Sequence, residues 1–151
     1  MDYKRDEIII HIGANYGHEV MKYEDLGLYG YHIEAIPKVF QELQLICKQT
    51  NRQKPICACL SDQEGSDIMF NVTSNNAESS SMLDLGRHKL AYPHIGVSEQ
   101  VRLITSTLDG LASQGLLSPP NHIVIDVQGA ELMVLKGSPI TLLITHKPPR
   151  P

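Results

Sequence analysis

The sequence of 151 residues has no tryptophan, no run of basic residues and no stretch of 18 apolar residues. Without such a stretch no membrane-spanning helix is expected, and the charged segment 1–7 lacks the apolar region of a signal peptide. A net charge of −4 and a pI of about 5.9 argue against binding of nucleic acid, which normally requires a basic stripe. We therefore expect one cytoplasmic domain over residues 1–151, with a core at 8–145 and a tail at 146–151, and neither a membrane nor a nucleic acid as partner.

Residues that bind metals or form disulfides are also sparse. The three cysteines, Cys47, Cys57 and Cys59, are odd in number and are not spaced as metal-binding pairs. None of the seven histidines forms a His-x-x-x-His pair with another. We predict free thiols and no metal, which disfavours a metal-dependent enzyme.

Apolar segments typical of strands alternate along the chain with segments of helical periodicity. The predicted strands cover residues 8–12, 29–33, 55–60, 67–73, 101–105 and 123–127. The predicted helices cover 16–27, a segment that begins at Pro37, 108–117 and 129–135. Residues 74–81 are polar, which predicts a loop, and residues 82–96 show no clear hydrophobic periodicity. Residues 139–145 can form at most one more strand. This alternation predicts an α/β fold with a mainly parallel sheet and helices on both faces.

A glycine-containing turn follows the first predicted strand. Gly13 and Gly17 flank it, and Glu34 ends the second strand 21 residues after Gly13, where a carboxylate can accept hydrogen bonds from ribose hydroxyls. A dinucleotide fingerprint would need glycine at Asn15 and His18, and the missing middle glycine disfavours an oxidoreductase that uses NAD. The pattern therefore predicts a nucleoside cofactor without phosphate, such as S-adenosylmethionine.

Three further carboxylates follow predicted strands at the same edge of the sheet. Asp62 is a candidate acceptor for an adenine amino group, although a turn-forming role is about equally consistent with its position. Asp126 ends a strand, and Glu131 lies in the first turn of the next helix, where it could instead stabilise the helix N-terminus. Asp126 and Glu131 are the candidate catalytic residues.

These segments resemble the FkbM family of S-adenosylmethionine-dependent methyltransferases, in family order from about residue 8 to 137. The matching segments are 11–17 (HIGANYG), 33–37 (IEAIP), 58–62 (ACLSD), 79–81 (SSS), 107–109 (TLD), 125–131 (IDVQGAE) and 135–137 (LKG).

The resemblance implies a class I methyltransferase fold, which is a Rossmann-like three-layer sandwich. It implies methyl transfer to a hydroxyl oxygen of a small molecule or glycan. The predicted cofactor-binding residues are His11, Gly13, Ala14, Asn15, Gly17, Glu34, Ala35, Ser61 and Asp62. On the acceptor side, Asp126 would position the hydroxyl group and Glu131 would act as its base.

Two features depart from the family pattern. The family usually has Asp where this chain has His11, and a histidine cannot replace a carboxylate opposite an ammonium group. His11 could instead be a buried, hydrogen-bonded core residue. The second departure is length, because the family continues past residue 137 through further strands, whereas the proline-rich segment 146–151 cannot continue a central strand. The resemblance therefore implies a sheet that is incomplete on the C-terminal side, and its open edge would favour a homodimer. The alternative function is therefore a binding or structural module with weak or no activity.

Overall fold

A computed structural model describes residues 3–73 and 97–145 of the chain. In chain order, its elements are β1 (Ile8–Ile12), α1 (Val20–Asp25), β2 (Tyr29–Glu34), α2 (Pro37–Cys47), β3 (Gln53–Cys57), β4 (Cys59–Leu60), β5 (Asp67–Thr73), β6 (Val97–Ser106), α3 (Leu108–Ser113), β7 (His122–Ile125), α4 (Glu131–Lys136) and α5 (Pro139–Thr145). The predicted polar loop at 74–81, the aperiodic segment 82–96 and the tail 146–151 lie outside the described residues.

The main sheet has four parallel strands in the order β3-β2-β1-β7. β1 lies between β2 and β7, with His11 opposite His32 on one side and Val124 on the other. A strand covered on both faces reads as a continuous apolar run, which is why 8–12 predicted a central strand. Because the strands are parallel, their carboxyl ends meet at one edge of the sheet. The predicted mainly parallel α/β architecture is confirmed.

Successive side chains of β1 point to opposite helical layers. Ile9 packs against Tyr23 of α1, whereas Ile10 and Ile12 pack in a cluster with apolar residues of α3 and α4. Ile9 and Ile10 are fully buried, and burial of each such side chain stabilises the fold by roughly 1.5–3 kcal/mol. His11 lies on the α1 face, with its ring centroid 6.0 Å from that of Tyr23. Helices therefore cover both faces, as predicted.

A second sheet has the order β4-β6-β5. Its outer strand β5 spans the predicted 67–73 and pairs antiparallel with β6. β6 is longer than the predicted strand 101–105 because pairing with the whole of β5 extends it into polar residues. Gln100 Nε2, for example, donates to Asn71 Oδ1 at 2.9 Å. Cross-strand pairing of this kind has no signature in hydrophobic periodicity.

Helix α1 is shorter than the predicted 16–27 and begins at Val20. Gly17 has φ of +79°, which is incompatible with a helix that starts before it. The C-terminus is as predicted, with Gly27 at φ +73° just past the helix. The N–H of Gly27 donates to the Glu24 carbonyl (2.9 Å) and the N–H of Leu28 to the Tyr23 carbonyl (3.0 Å). This pair of bonds is a Schellman motif.

Helix α2 begins at Pro37, and Val39, Leu43 and Cys47 form its buried face. Its apolar residues recur at helical spacing, so both its start and its packing face were predictable. α3 ends at Ser113, earlier than the predicted Leu117. In the described part of the chain, no helix is both long and apolar enough to cross a bilayer.

The prediction of at most a strand at 139–145 is wrong, because this segment is helix α5. The carboxylate of Asp109, which lies 31 residues before Ile140 in the sequence, caps the N-terminus of this helix. Its Oδ2 accepts the N–H of Ile140 (2.8 Å), while Oδ1 accepts the N–H (2.8 Å) and the hydroxyl (2.7 Å) of Thr141. These bonds satisfy N–H groups that a helix start leaves free, and Pro139 suits the first helical position.

Candidate functional site

The turn between β1 and α1 contains residues in the left-handed region of backbone space, namely Gly13 (φ +81°), Asn15 (+48°) and Gly17 (+79°). A Cβ atom on Gly13 would lie 2.0 Å from the carbonyl oxygen of Asp126. Only glycine therefore allows the ends of β1 and β7 to approach this closely. The N–H groups of Gly13 and Ala14 both donate to the Ile33 carbonyl, at 2.9 and 3.0 Å, and so attach the turn to β2.

Glu34 holds the same turn from the end of β2. Its Oε2 accepts the N–H of Asn15 at 2.9 Å and its Oε1 accepts the N–H of Ile36 at 2.8 Å. The side chain is only 6% exposed, and this burial raises the pKa of the carboxyl group, against the opposing effect of the backbone N–H groups. A carboxylate has about four acceptor positions, so it retains capacity for further hydrogen bonds.

A cavity of about 340 Å³ opens at the carboxyl edge of the main sheet, within the size range of small-molecule sites. Six of the residues predicted to form the site line it, namely His11, Gly13, Ala14, Asn15, Ala35 and Asp126. The other described lining residues are Ile12, His18, Glu19, Ile33, Ala58, Cys59, Leu60, Phe70, Val127, Gln128 and Ala130. The turn after β1 and the turn after β7 thus form two sides of one cavity.

Five predicted residues lie outside this lining, among them Gly17, Glu34, Ser61 and Asp62. A Cβ on Gly17 would meet Leu43 of α2 at 2.7 Å, so Gly17 faces the core. Glu34 lies under the turn, bonded to backbone. Ser61 is buried, and its hydroxyl donates to Asp62 Oδ1 at 3.1 Å.

The fifth is Glu131, which stabilises the turn between β7 and α4. Its Oε1 accepts the N–H of Gly129 at 3.0 Å. Gln128 and Gly129 have φ of +52° and +98°, which neither a strand nor an α-helix allows. The strand therefore ends at Ile125 and the helix begins only at Glu131. Asp126, in contrast, lines the cavity, and its Oδ1 accepts Nε2 of Gln128 at 2.8 Å.

The described lining of the cavity carries negative charge. Glu19 and Asp126 are its two carboxylates, and no lysine or arginine occurs among these lining residues. A site with this composition favours a cationic ligand and disfavours a phosphate group, which needs basic side chains or free N–H groups.

His11 is the buried polar group of this cavity. It is 6% exposed, and its Nδ1 has no hydrogen-bond partner among residues 3–73 and 97–145. Burial lowers the pKa of the imidazole, while the charges of Glu19 and Asp126 oppose this change. The ring is therefore neutral at pH 7. The structure supports the interpretation of a buried histidine but provides no hydrogen bond to Nδ1.

Several lining residues were not predicted from the sequence, and Glu19 and Phe70 are the most informative. Glu19 follows the glycine turn directly, so its proximity to the turn was a signal that could have identified it. Phe70 lies on β5 in the second sheet. No local pattern places that strand beside the end of β1, because only the tertiary fold brings the two together.

Several solved structures are similar to part of this chain. One is fibrillarin of Aeropyrum pernix with natively bound S-adenosyl-L-methionine, at 21% identity over 36% of this chain and 25% of that chain, with a TM-score of 0.35. Another is the YcgJ protein of Bacillus subtilis, at 11% identity over 41% of this chain and 30% of that chain (TM-score 0.35). A third is a SAM-dependent methyltransferase of Geobacter sulfurreducens in complex with S-adenosyl-L-homocysteine, at 16% identity over 44% and 28% of the two chains (TM-score 0.37). The matched parts span between a quarter and a third of the length of these proteins.

No curated protein matches the chain at a significant level. The sequence profile described as the methyltransferase FkbM domain matches residues 11–148, which include the turn after β1, the end of β2 and the segment from β7 to α5. This match covers most of the chain and confirms the resemblance seen in the sequence. The chain belongs to the FkbM methyltransferase domain family.

Proposed function

We propose that this protein transfers a methyl group from S-adenosylmethionine to a hydroxyl oxygen of a small molecule or glycan. The observation that carries the proposal is the charge of the cavity, which has two carboxylates and no lysine or arginine in its described lining. S-adenosylmethionine has a sulfonium group, an ammonium group and a single carboxylate but no phosphate, so its net charge is positive and it matches this lining better than a phosphorylated cofactor does. Membership of a methyltransferase family supports the same reaction class.

The residues of the cavity fit this cofactor in shape and in polar groups. Gly13 allows the turn after β1 to approach the Asp126 carbonyl closely, and the Oδ1 of Asn15 has no partner in the described part of the chain. Ala35, Cys59 and Phe70 provide an apolar wall suited to a purine base. In this proposal Glu34 contributes by holding the turn and by its remaining acceptor positions.

The cofactor supplies an electrophilic methyl group on sulfur. The protein has to hold a hydroxyl oxygen in line with that group and accept the hydroxyl proton. Asp126 is exposed to the cavity, whereas the carboxylate of Glu131 is bonded to the N–H of Gly129 outside it. We therefore assign both the positioning of the hydroxyl group and the role of base to Asp126. The predicted assignment of Glu131 as base stays a separate prediction, which the Glu131→Gln variant tests.

Cofactor binding is tested by calorimetric titration of the purified protein with S-adenosylhomocysteine, and with NAD as the competing ligand. We expect micromolar affinity for S-adenosylhomocysteine and none for NAD. A folded, monodisperse sample that binds neither ligand would contradict the proposal.

Methyl transfer is tested with radiolabelled S-adenosylmethionine and a panel of hydroxyl-bearing sugars and hydroxy acids. Asp126→Asn should lower kcat by about 100-fold or more with unchanged affinity for S-adenosylhomocysteine, and Glu131→Gln should retain most of the activity. The reverse pattern would identify Glu131 as the base. Cofactor binding without transfer to any acceptor would favour the alternative, a binding module that retains the fold. The neutral His11 at the cavity is the observation that keeps this alternative open.

The homodimer remains a prediction. β7 is an outer strand of the main sheet as described. Sedimentation velocity across a range of protein concentrations tests it, and a single monomeric species would contradict it.

A further inference from the structure

Glu19 lies at the cavity, and its side chain makes no hydrogen bond within the described residues, although its carbonyl accepts the N–H of Tyr23 at 3.0 Å. It occupies the position immediately before α1, where a side chain often accepts an N–H of the helix, yet it makes no capping hydrogen bond. Its side chain is exposed, and it has neither a hydrogen bond nor an ion pair with any residue in 3–73 or 97–145. It nevertheless lines the cavity.

A second, independent observation points to a ligand at this place. His11, which lines the same cavity, is more than nine-tenths buried, and its Nδ1 has no partner in the described chain. A buried polar atom without a partner is costly unless something else provides one. The charges of Glu19 and Asp126 both oppose the lowering of the His11 pKa, and all three residues line the cavity. Glu19 and the unpartnered His11 thus belong to the same lining.

His11 cannot act as the counter-ion of a cation, because an imidazole is either neutral or positively charged. Asp126 lies on the turn after β7, and its Oδ1 accepts a hydrogen bond from Nε2 of Gln128. If Asp126 accepts the proton of the methyl acceptor, a different carboxylate has to face the fixed positive charge of the cofactor. Within the described lining, Glu19 is the carboxylate that remains.

We infer that Glu19 is the counter-ion of the α-ammonium group in the amino acid tail of the cofactor. This inference rests on the proposed function, since it assigns one part of S-adenosylmethionine to one part of the cavity. Glu19 supplies acceptor oxygens for a charge-assisted hydrogen bond, and the His11 ring forms the uncharged wall beside it.

The test is a pair of ligands combined with a pair of variants. The ligands are S-adenosylhomocysteine and its desamino analogue, which keeps the adenosine and the tail carboxylate and lacks only the ammonium group. The unmodified protein should bind S-adenosylhomocysteine about tenfold more tightly than the analogue. Glu19→Gln should weaken the binding of S-adenosylhomocysteine about tenfold and should bind the two ligands equally well.

Asp25→Asn is the matched control, because Asp25 is an exposed carboxylate of the same helix that does not line the cavity. Asp25→Asn changes the net charge by the same amount as Glu19→Gln does. It should keep the tenfold preference for S-adenosylhomocysteine over the desamino analogue. A Glu19→Gln variant that weakens both ligands by the same factor, or neither, would overturn the inference while leaving the proposed cofactor intact. If the unmodified protein binds neither ligand, the proposed function itself fails. Equal melting temperatures of the variants and the unmodified protein exclude misfolding as the cause of weaker binding.

Discussion

Glu34 joins the carboxyl end of β2 to the turn after β1, because its Oε2 accepts the backbone N–H of Asn15 at 2.9 Å. The other oxygen accepts the N–H of Ile36 at 2.8 Å, in the segment that leads into α2. One buried carboxylate therefore fixes the positions of two connections at the cavity. Its position in the sequence predicts a cofactor-binding residue, and its contacts show that it also organises the backbone of the site.

Replacement of Glu34 by glutamine should disrupt this arrangement although it conserves shape. The amide NH₂ would face either the N–H of Asn15 or that of Ile36, so a donor would meet a donor in a buried place. We expect a loss on the order of 1–3 kcal/mol in the free energy of unfolding, and weaker binding of S-adenosylhomocysteine. Urea denaturation measures the first and calorimetry the second. Glu42→Gln on the exposed side of α2 is the control, and equal stability of the two variants would contradict the prediction.

Substitution of Gly13 by alanine separates steric contact from backbone strain. The new Cβ would lie 2.0 Å from the Asp126 carbonyl oxygen, whereas at Gly115, with a similar φ of +74°, a Cβ has no atom within 4 Å. Gly115→Ala should therefore cost only the left-handed backbone strain, roughly 1–2 kcal/mol. Gly13→Ala should destabilise the protein more and should abolish binding of S-adenosylhomocysteine. Similar losses in both variants would show that the contact with Asp126 is unimportant.

A buried polar chain lies behind the cavity, on the α1 face of the sheet. Gln53 Nε2 donates to Glu24 Oε2 at 3.1 Å and to the Leu28 carbonyl at 2.9 Å, which fixes the orientation of the amide. Its Oε1 therefore faces His32 Nε2, 2.9 Å away, and the histidine must donate this hydrogen bond. Burial lowers the pKa of His32 to about 4, and the hydrogen bond to Gln53 partly opposes this shift.

This depressed pKa gives a stability that depends on pH. In the unfolded chain the imidazole takes up a proton near its ordinary pKa of 6.5, while the folded protein keeps His32 neutral down to about 4. The contribution of His32 to stability is thus fully present above pH 6.5 and is lost as the pH falls through 4. The loss amounts to about 3 kcal/mol.

His32→Gln keeps a donor for Gln53 and removes the titration. It should therefore show a smaller decrease in unfolding free energy between pH 6.5 and pH 4 than the unmodified protein. Denaturation curves at several pH values measure this slope. His18→Gln, which replaces an exposed histidine, is the control for the substitution itself. A His32→Gln variant with the slope of the unmodified protein would contradict the pKa assignment.

Those parts of the fold that depend on local pattern could be predicted from the sequence. The isoleucines of β1, Pro37 at the start of α2 and Gly27 after α1 each act through short-range physics, namely burial on both faces, a fixed φ and access to positive φ. The order of the matching segments likewise indicated the family correctly. These features predicted the sheet and its carboxyl edge.

The remaining features depend on contacts between residues distant in sequence. The capping of α5 by Asp109 spans more than 30 positions, so a segment rich in β-branched residues became a helix. Phe70 reaches the cavity only because the second sheet packs beside the first. Conversely, Gly17 and Glu131 occupy positions typical of a ligand site, yet their contacts are with the core and with the neighbouring backbone. The spacing of residues in the sequence alone does not distinguish residues that contact a ligand from residues that support the fold.

Asp109 offers a test of this distinction, because its carboxylate accepts three hydrogen bonds at the start of α5 and none of them involves the cavity. Asp109→Ala should cost about 1–2 kcal/mol of stability and should accelerate hydrogen exchange at the amides of Ile140 and Thr141. Asp109→Asn keeps one acceptor oxygen, so its stability should lie between that of the unmodified protein and that of Asp109→Ala. Both variants should keep the tenfold preference for S-adenosylhomocysteine over its desamino analogue. If Asp109→Ala loses this preference while α5 stays protected from exchange, Asp109 acts on the site, and its interpretation as a helix cap is wrong.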